Sequence, residues 1–284
     1  MTTYLCLRCN FSKGLEEDLP DIAVSWPVLG VEIDDSEGDV VRAAIYGESA
    51  EADALSRIAD VLTDHGATEI RIETFGEQDW LRGYRDAVQP FAVGDRWWID
   101  PHPDDPSQAP GHRRRLVIEP RTAFGSGSHE STMMVLSALE EIEVVGADVL
   151  DVGTGSGILA LATESLGARR VVALDIDDNA IWVARQISTQ QEWTPLVQYI
   201  LGPVTCIGVA QFQVILCNMI SSNFRPLLAD MSRVLAANGL IILAGLLAAE
   251  IDAVTRALLS VGLESKSRRV LGEWASLSAT PFDR

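Results

Sequence analysis

DVLDVGTGSGILALATESLGARRVVALD, residues 148–175, has the pattern of a strand, a tight turn, a helix and a second strand. Alternating apolar residues lead into three glycines at every second position, a segment with helical spacing follows, and a second apolar strand ends at Asp175. A helical crossover of this length joins two parallel strands, and glycines in the first turn let the backbone approach a ligand closely. We therefore predict a parallel sheet with a ligand site at this turn.

The spacing of the glycines indicates the kind of ligand. Gly153, Gly155 and Gly157 read G-x-G-x-G, whereas a dinucleotide-binding loop reads G-x-G-x-x-G and a P-loop continues into Gly-Lys-Ser/Thr. With Asp175 ending the next strand, the pattern suits an adenosine ligand without a diphosphate, whose ribose hydroxyls would donate to the carboxylate. S-adenosylmethionine is the first candidate and a nicotinamide dinucleotide the second, while a simple turn without a ligand is the structural alternative.

Composition and charge limit the classes of partner. The chain has 284 residues, 47% of them hydrophobic, which is enough for one large or two ordinary domains. The formal net charge of −19 would repel nucleic-acid phosphates, so we expect a basic protein partner and no direct nucleic-acid binding. No signal-peptide pattern opens the sequence and no run of about twenty apolar residues could span a bilayer. We therefore expect a cytoplasmic protein, and a monomer.

Two of the four cysteines, Cys6 and Cys9, lie close together in the sequence. No second cysteine pair or histidine pair stands nearby to complete a zinc tetrahedron. Their odd offset on a strand would also direct the two thiols to opposite faces. We predict reduced structural cysteines and no metal site.

Residues 1–73 have the pattern of a small α/β domain. The segments 4–7, 28–33, 40–46 and 70–73 read as strands, and a helix is predicted to begin at Ser49. A small sheet covered by helices on one side resembles a ferredoxin-like module. Because no catalytic pattern occurs here, we predict a partner-binding or purely structural role.

Residues 74–90 are predicted to form a helical linker, and residues 91–284 a second domain. In the linker, Trp80, Tyr84 and Val88 recur at every fourth residue and would form one face of a short helix that Pro90 ends. In the second domain, strands are predicted at 96–99, 116–119, 196–200, 212–218 and 240–244, and helices at 131–142, 178–191, 224–235 and 250–260.

The end of the second domain indicates which α/β sheet it forms. The segments 264–271 and 274–280 have no helix between them, so they should form an antiparallel hairpin. A parallel sheet with an antiparallel last strand is typical of the Rossmann-like seven-stranded sheet of S-adenosylmethionine-dependent methyltransferases. Nicotinamide dehydrogenases lack this ending.

A second small-residue loop, GSGSH at 125–129, precedes the predicted helix at 131–142. Free amides at a helix start attract carboxylates, and the methionine part of S-adenosylmethionine carries one. Thr132 could face this cofactor or act as a helix cap. His129 could be a general base or a metal ligand, but a structural hydrogen-bonding role is favoured because no second histidine is near.

Asn218 follows the apolar run FQVILC and should emerge at the carboxyl end of its strand, where open parallel sheets bind ligands. Its amide oxygen could accept a hydrogen bond from an attacking amine and aim the nitrogen lone pair at a methyl group. The alternative is the ordinary use of asparagine as a turn former.

The stretches TAFGSGSHEST at 122–132, DVGTGSGILALATESLGARRVVALDIDDNAI at 151–181 and ILCNMIS at 215–221 together resemble the bacterial ribosomal protein L11 methyltransferases. The resemblance extends to residues 77–101 and to EWASL at 273–277, so it covers nearly the whole chain. The family usually has threonines at Ser126 and Ser128, proline at Glu130, and Asn-Ile-Leu-Ala at 218–221. These departures concern the region expected to receive the acceptor.

The resemblance implies an enzyme that transfers methyl groups from S-adenosylmethionine to amino groups of a large-subunit ribosomal protein. It places cofactor contacts at Thr132, Gly153, Asp175 and Asn218, and we add Phe124, Gly125 and Gly155 from the two small-residue loops and assign Asn218 the catalytic role. The implied functions are substrate recognition for residues 1–73 and methyl transfer for residues 91–284. The alternatives are a methyltransferase acting on another protein or a small amine, a nicotinamide-dependent oxidoreductase, and a noncatalytic ribosome-binding protein.

Overall fold

The computed structural model describes residues 3–12, 30–34, 40–48, 52–76, 88–104, 109–119, 125–208 and 211–282. The chain divides into two compact units, residues 1–86 and 87–284. The described elements of the first unit are β1 (Thr3–Ser12), β2 (Gly30–Asp34), β3 (Val40–Glu48), α1 (Ala52–Asp64) and β4 (Thr68–Gly76).

The first unit is an antiparallel sheet in the order β2-β3-β1-β4 with α1 packed on it. This strand order is the one expected of the predicted ferredoxin-like module. The side chains of Leu7, Ile45, Leu55 and Ile58 are fully buried between the sheet and the helix. Residues 28 and 29 of the second predicted strand, and Ser49 at the predicted helix start, lie outside the described residues.

Cys6 and Cys9 are both buried, and neither forms a disulfide. Cys9 belongs to the core beneath α1 whereas Cys6 does not, as the alternation of side chains along β1 requires. Burial, with a smaller contribution from Cys6, raises the pKa of the Cys9 thiol to about 11. The Cys9 thiol therefore remains protonated near neutral pH.

The predicted boundary of the first domain falls inside an element. Strand β4 continues to Gly76, three residues beyond position 73. The predicted linker helix lies outside the described residues except for Val88, so the limits of the linker stay a prediction.

The second unit contains sixteen strands and helices in the described part of the chain, together with short 3-10 turns at Val204–Cys206, Arg225–Leu227 and Ala248–Glu250. They are β5 (Phe91–Val93), β6 (Trp97–Asp100), β7 (Arg114–Val117), α2 (Glu130–Leu139), β8 (Asp148–Val152), α3 (Ile158–Ser165), β9 (Arg170–Asp175), α4 (Asp178–Thr189), β10 (Val197–Leu201), β11 (Phe212–Asn218), α5 (Ser221–Phe224), α6 (Leu228–Val234), β12 (Leu235–Leu247), α7 (Ile251–Ser260), β13 (Leu263–Leu271) and β14 (Trp274–Pro281).

Seven of these strands form one sheet in the order β10-β9-β8-β11-β12-β14-β13. The first five are parallel, and β14 runs antiparallel to both β12 and β13. This confirms the predicted Rossmann-like sheet with an antiparallel last strand. The carboxyl ends of β8, β9, β11 and β12 and the amino end of β14 therefore lie along one edge, which we call the carboxyl edge.

Helices cover both faces of the large sheet. On one face α2, α3 and α4 pack around buried side chains such as Leu136 and Leu161. On the other face α5, α6 and α7 pack around Met231 and Leu258. Within the described part of the chain, no helix has both the length and the apolar character needed to cross a membrane.

The predicted helix at 224–235 is wrong in its bounds. The structure has α5, a 3-10 turn at Arg225–Leu227 and α6 instead. Pro226 lies inside this turn, and proline lacks the N–H that a continuous α-helix requires. The predicted strand at 240–244 is longer, because β12 begins at Leu235 and extends to Leu247.

Candidate active site

A cavity of about 430 Å³ opens at the carboxyl edge of the large sheet. This volume lies within the range of roughly 300–1,000 Å³ that is usual for ligand pockets. Six of the seven predicted site residues line it: Gly125, Thr132, Gly153, Gly155, Asp175 and Asn218. The seventh, Phe124, lies outside the described residues.

The glycine turn between β8 and α3 forms one wall of the cavity. Gly153, Gly155 and Gly157 all have positive φ angles, of 72°, 54° and 84°. Residues other than glycine rarely adopt such angles. The amides of Gly153 and Thr154 donate to the carbonyl of Leu174, at 2.9 and 3.0 Å. A Cβ at Gly153 would lie 2.5 Å from Sδ of Met219, so glycine allows the Met219 side chain to pack against this turn.

The carboxylate of Asp175 is fixed where β9 ends. Its Oδ2 accepts from the amide of Gly155 at 3.0 Å, and its Oδ1 accepts from the amide of Asp177 at 3.1 Å. The side chain is half-buried and lines the cavity. Since a carboxylate oxygen can accept more than one hydrogen bond, both oxygens can also receive hydroxyl groups of a ligand.

Asp151 is hydrogen-bonded to the glycine turn through Thr154. It is almost fully buried and accepts a hydrogen bond of 2.6 Å from the hydroxyl of Thr154. Burial raises the pKa of Asp151 to about 7, against the opposing effect of the Thr154 hydrogen bond. The sequence pattern assigned no role to Asp151, although an acidic residue next to the last position of β8 was the available signal.

His129 caps the amino terminus of α2. Its Nδ1 accepts from the backbone N–H of Ser131 at 3.2 Å and lies 2.8 Å from the Ser131 hydroxyl. Because a backbone N–H is only a donor, Nδ1 is unprotonated and the neutral ring carries its hydrogen on Nε2. This is the structural hydrogen-bonding role that the sequence favours. Because Nδ1 already accepts from Ser131 and Nε2 carries the hydrogen, neither ring nitrogen is available to act as a base.

Thr132 and Asn218 both line the cavity and are hydrogen-bonded to each other. Nδ2 of Asn218 donates to Oγ1 of Thr132 at 3.0 Å, and both side chains are buried. Oδ1 of Asn218 is buried without a hydrogen-bond partner in the described part of the chain. Since an unsatisfied buried acceptor costs about 1–3 kcal/mol, this oxygen marks the place where the N–H group of a ligand would be stabilised.

Met219 follows Asn218 and is held by strand β12. Its amide donates to the carbonyl of Ala244 at 3.2 Å. The pairing of β12 with β14 shifts between Ala244 and Leu246, so Gly245 is a bulge that bends the strand beside the cavity. Gly245 has a φ of 82°, and a Cβ there would lie 2.5 Å from the Met219 carbonyl oxygen.

Several residues of the cavity wall were not predicted from the sequence: Ser131, Thr154, Met219, Ile220, Gly245 and Trp274. The clearest omission is Trp274, which we interpreted only as part of the last strand. Its ring contacts that of His129 edge to face, with centroids 4.8 Å apart and an interplanar angle of 67°. The available signal was topological, because the first residue of an antiparallel last strand reaches the carboxyl edge.

Known proteins resemble the chain along most of its length. The family model described as ribosomal protein L11 methyltransferase (PrmA) matches residues 14–281. The ribosomal protein L11 methyltransferase of Geobacter metallireducens is 32% identical over 97% of each chain. That of Myxococcus xanthus is 29% identical over 97% of this chain and 98% of its own.

A solved structure has the same fold. The crystal structure of the ribosomal protein L11 methylase from Lactobacillus delbrueckii subsp. bulgaricus superposes with a TM-score of 0.64 at 23% identity. The match covers 68% of this chain and 99% of that chain.

Proposed function

The chain belongs to the ribosomal protein L11 methyltransferase family, and we propose on this basis that it transfers methyl groups from S-adenosylmethionine to amino groups of ribosomal protein L11. The acceptors are lysine side chains, the N-terminal amine, or both. The observation that carries the proposal is Asn218, which lines the cavity and whose buried Oδ1 has no hydrogen-bond partner among the described residues.

The residues around the cavity fit S-adenosylmethionine. The glycine turn contributes Gly153 and Gly155 to the cavity wall, where glycine lets the backbone approach a ligand closely. The fixed carboxylate of Asp175 suits the two ribose hydroxyls, and the start of α2 beside Thr132 suits the carboxylate of the methionine part. We assign cofactor contacts to these residues and to Gly125, Gly155 and Phe124, and both a cofactor contact and the catalytic role to Asn218.

In this mechanism the protein contributes mainly by positioning its substrates. S-adenosylmethionine supplies a methyl group that the sulfonium already activates. Oδ1 of Asn218 accepts a hydrogen bond from the acceptor amine and so directs the nitrogen lone pair towards that methyl group. Thr132 holds the amide of Asn218 in this orientation through the 3.0 Å hydrogen bond.

The acceptor must lose a proton before it can react, because an ammonium group has no lone pair. We assign this proton to solvent. His129, the titratable ring at the cavity, uses Nδ1 to cap α2, and no other described residue of the wall offers a base beside Asn218. A lysine acceptor, with its ordinary pKa near 10.4, would therefore be methylated faster as the pH rises towards that value.

The charge of the protein supports a basic acceptor. The formal net charge is −19, which favours a lysine-rich ribosomal protein over a nucleic acid. We accordingly propose a cytoplasmic enzyme that acts as a monomer. A methyltransferase acting on a different protein or a small amine is the main alternative, and the antiparallel strand β14 disfavours a nicotinamide-dependent oxidoreductase.

Incubation of the purified protein with methyl-labelled S-adenosylmethionine tests the proposal. The acceptors are ribosomal protein L11, the same protein with all lysines changed to arginine, and a lysate depleted of endogenous activity. We expect label on L11, and its partial or complete loss from the lysine-free variant according to the share of N-terminal methylation. Label confined to another protein of the lysate, or tight binding of NADH in place of S-adenosylmethionine, would exclude the proposed reaction.

A further inference from the structure

Trp274 occupies a defined place at the cavity that the order of the strands explains. It is the first residue of β14, and β14 lies next but one to β11 in the sheet. Asp175 ends β9, and β9 is separated from β11 by one strand, β8, on the opposite side of the sheet. With strands about 4.8 Å apart, each of the two residues is displaced roughly 10 Å from Asn218 across the sheet, in opposite directions.

This arrangement separates a donor side from an acceptor side. If Asp175 holds the ribose, as the proposed function requires, S-adenosylmethionine extends from β9 to the methyl-transfer position at Asn218. The part of the cavity beyond Asn218, where Trp274 stands, is then left for the acceptor. We propose that Trp274 is the wall along which the acceptor amine and its aliphatic arm enter, and that His129 is the positioning residue that holds the indole there.

The depth of the residues agrees with an entrance at Trp274. Asn218 pairs with Ala244 of β12, whereas Trp274 pairs with Leu247, three residues further along that strand. Asn218 is buried and Trp274 is half-buried. Asn218 therefore lies deeper in the cavity than the indole of Trp274, so a long side chain entering here would meet the indole first and Asn218 last.

An exposed apolar row continues from Trp274 over the surface. Trp274 pairs directly with Leu247 on one neighbouring strand and with Leu271 on the other, and directly paired residues point to the same face of a sheet. Leu247 and Leu271 are 42% and 43% exposed. Apolar groups grouped at a cavity mouth are typical of a surface that contacts another protein.

Carboxylates accompany this row. Glu273 precedes Trp274 and is exposed. The carboxylate of Glu250 accepts from the Ser221 hydroxyl and the Leu247 amide, and these hydrogen bonds lower the pKa of Glu250. Two negative charges therefore flank the apolar row, which suits a positively charged acceptor segment. An ammonium group or a methylated ammonium also binds favourably to the face of an indole ring.

Four variants test this role: Trp274→Ala, Trp274→Phe, His129→Asn and, as a control at a half-exposed tryptophan of α4, Trp182→Ala. His129→Asn retains a side chain that caps helices well but removes the ring from Trp274. For each variant, thermal unfolding, the Kd of S-adenosylmethionine, and the Kd and KM of ribosomal protein L11 are measured, the acceptor Kd by anisotropy of labelled L11.

We expect Trp274→Ala to raise the Kd and KM of the acceptor about fivefold to thirtyfold, in keeping with the loss of a cation–π contact and its apolar surroundings. The Kd of S-adenosylmethionine should stay within about twofold by the same reasoning, Trp274→Phe should recover most of the acceptor affinity, and Trp182→Ala should resemble the wild type. His129→Asn should weaken acceptor binding without lowering the unfolding temperature. If Trp274→Ala does not fold, His129→Asn provides the test.

Unchanged acceptor binding in Trp274→Ala, or an equal loss of S-adenosylmethionine affinity, would overturn this inference. An unchanged acceptor Kd in His129→Asn would leave that residue only its role as a helix cap. The inference rests on the proposed function, but the two fail differently. If the wild-type protein binds L11 through Trp274 without methylating it, only the proposed methyl transfer is refuted. If L11 is methylated and substitution of Trp274 has no effect, only the proposed role of Trp274 is refuted.

Discussion

The amide of Asn218 donates to Thr132, whereas its oxygen has no partner among the residues that the structure describes. Mutation of Asn218 should therefore separate catalysis from cofactor binding. In Asn218→Ala, we expect kcat to fall about tenfold to a hundredfold, since the hydrogen bond to the acceptor amine contributes ~1.5–3 kcal/mol. The Kd of S-adenosylmethionine should change less than kcat, because the glycine turn and Asp175 remain. Rapid-quench assays and calorimetry measure the two quantities, and equal turnover in the variant would remove Asn218 from the mechanism.

Mutation of Asp175 should instead weaken the binding of S-adenosylmethionine. The two carboxylate oxygens of Asp175 are held by backbone amides, and we propose that their remaining lone pairs accept from the ribose hydroxyls. We expect Asp175→Ala to raise the Kd of S-adenosylmethionine about tenfold to a hundredfold. Asp178→Ala, at an exposed carboxylate three residues away, is the matched control. Unchanged calorimetric affinity in Asp175→Ala would contradict the ribose assignment.

Asp151 should make the stability of the protein depend on pH. The pKa of its buried carboxyl group, about 7 in the folded protein, lies above the value near 3.9 of an unfolded chain. Between these values the folded state holds a proton that the unfolded state has released, so the free energy of unfolding decreases as the pH rises. Over this window the contribution of Asp151 falls by up to about 4 kcal/mol.

Asp151→Asn isolates this contribution, because the amide oxygen can still accept from Thr154 but does not titrate. Urea unfolding of both proteins without cofactor, at intervals from pH 4 to pH 8, measures the difference. We expect the wild type to lose stability relative to the variant as the pH approaches 7. Parallel pH profiles for the two proteins would show that Asp151 does not titrate in this range.

At the scale of secondary-structure elements, the bulge in β12 fixes the segment that carries Met219. We expect Gly245→Ala to destabilise the protein by about 1–3 kcal/mol, because the positive φ is strained for alanine and the new Cβ would collide with the Met219 carbonyl. Turnover should fall as well, since Met219 adjoins Asn218.

Gly262→Ala is the matched control for this prediction. Gly262 has a similar φ of 81° but open space around the added Cβ. The Gly262→Ala variant should lose only the stability that the backbone strain costs, and its kcat should be unchanged. Equal losses of stability and activity in the two variants would show that the contact with Met219 is unimportant.

The elements that sequence reasoning located are those whose pattern is local. The glycine turn with Asp175 and the hairpin of β13 and β14 follow from residue spacing and from the absence of a helix between the last two segments. The break at Pro226 and the bulge at Gly245 were missed, although both residue types were visible, because apolar periodicity dominated the interpretation. Trp274 was missed because its position depends on strand order, which pairs residues far apart in the sequence.

At the scale of the whole molecule, the charge of −19 predicts how salt affects the reaction. A basic acceptor is attracted over a distance comparable with the Debye length, which shrinks from about 10 Å at 0.1 M to about 3 Å at 1 M ionic strength. We expect the KM of ribosomal protein L11 to rise steeply between these conditions while the Kd of S-adenosylmethionine changes little. Steady-state kinetics in sodium chloride measure the first quantity, and a salt-independent KM would mean that charge does not guide the acceptor.

The position of β14 has a consequence for the order in which the protein becomes functional during its own synthesis. This strand is made after every other strand of the large sheet, yet it lies between β12 and β13. A nascent chain that ends at Gly272 would therefore leave β13 unpaired and one edge of β12 open, and it would lack Trp274 altogether. The donor side, formed by residues up to Asn218, is complete earlier on the ribosome than the acceptor side. The cavity should thus be able to hold its cofactor before it can admit the side chain of an acceptor.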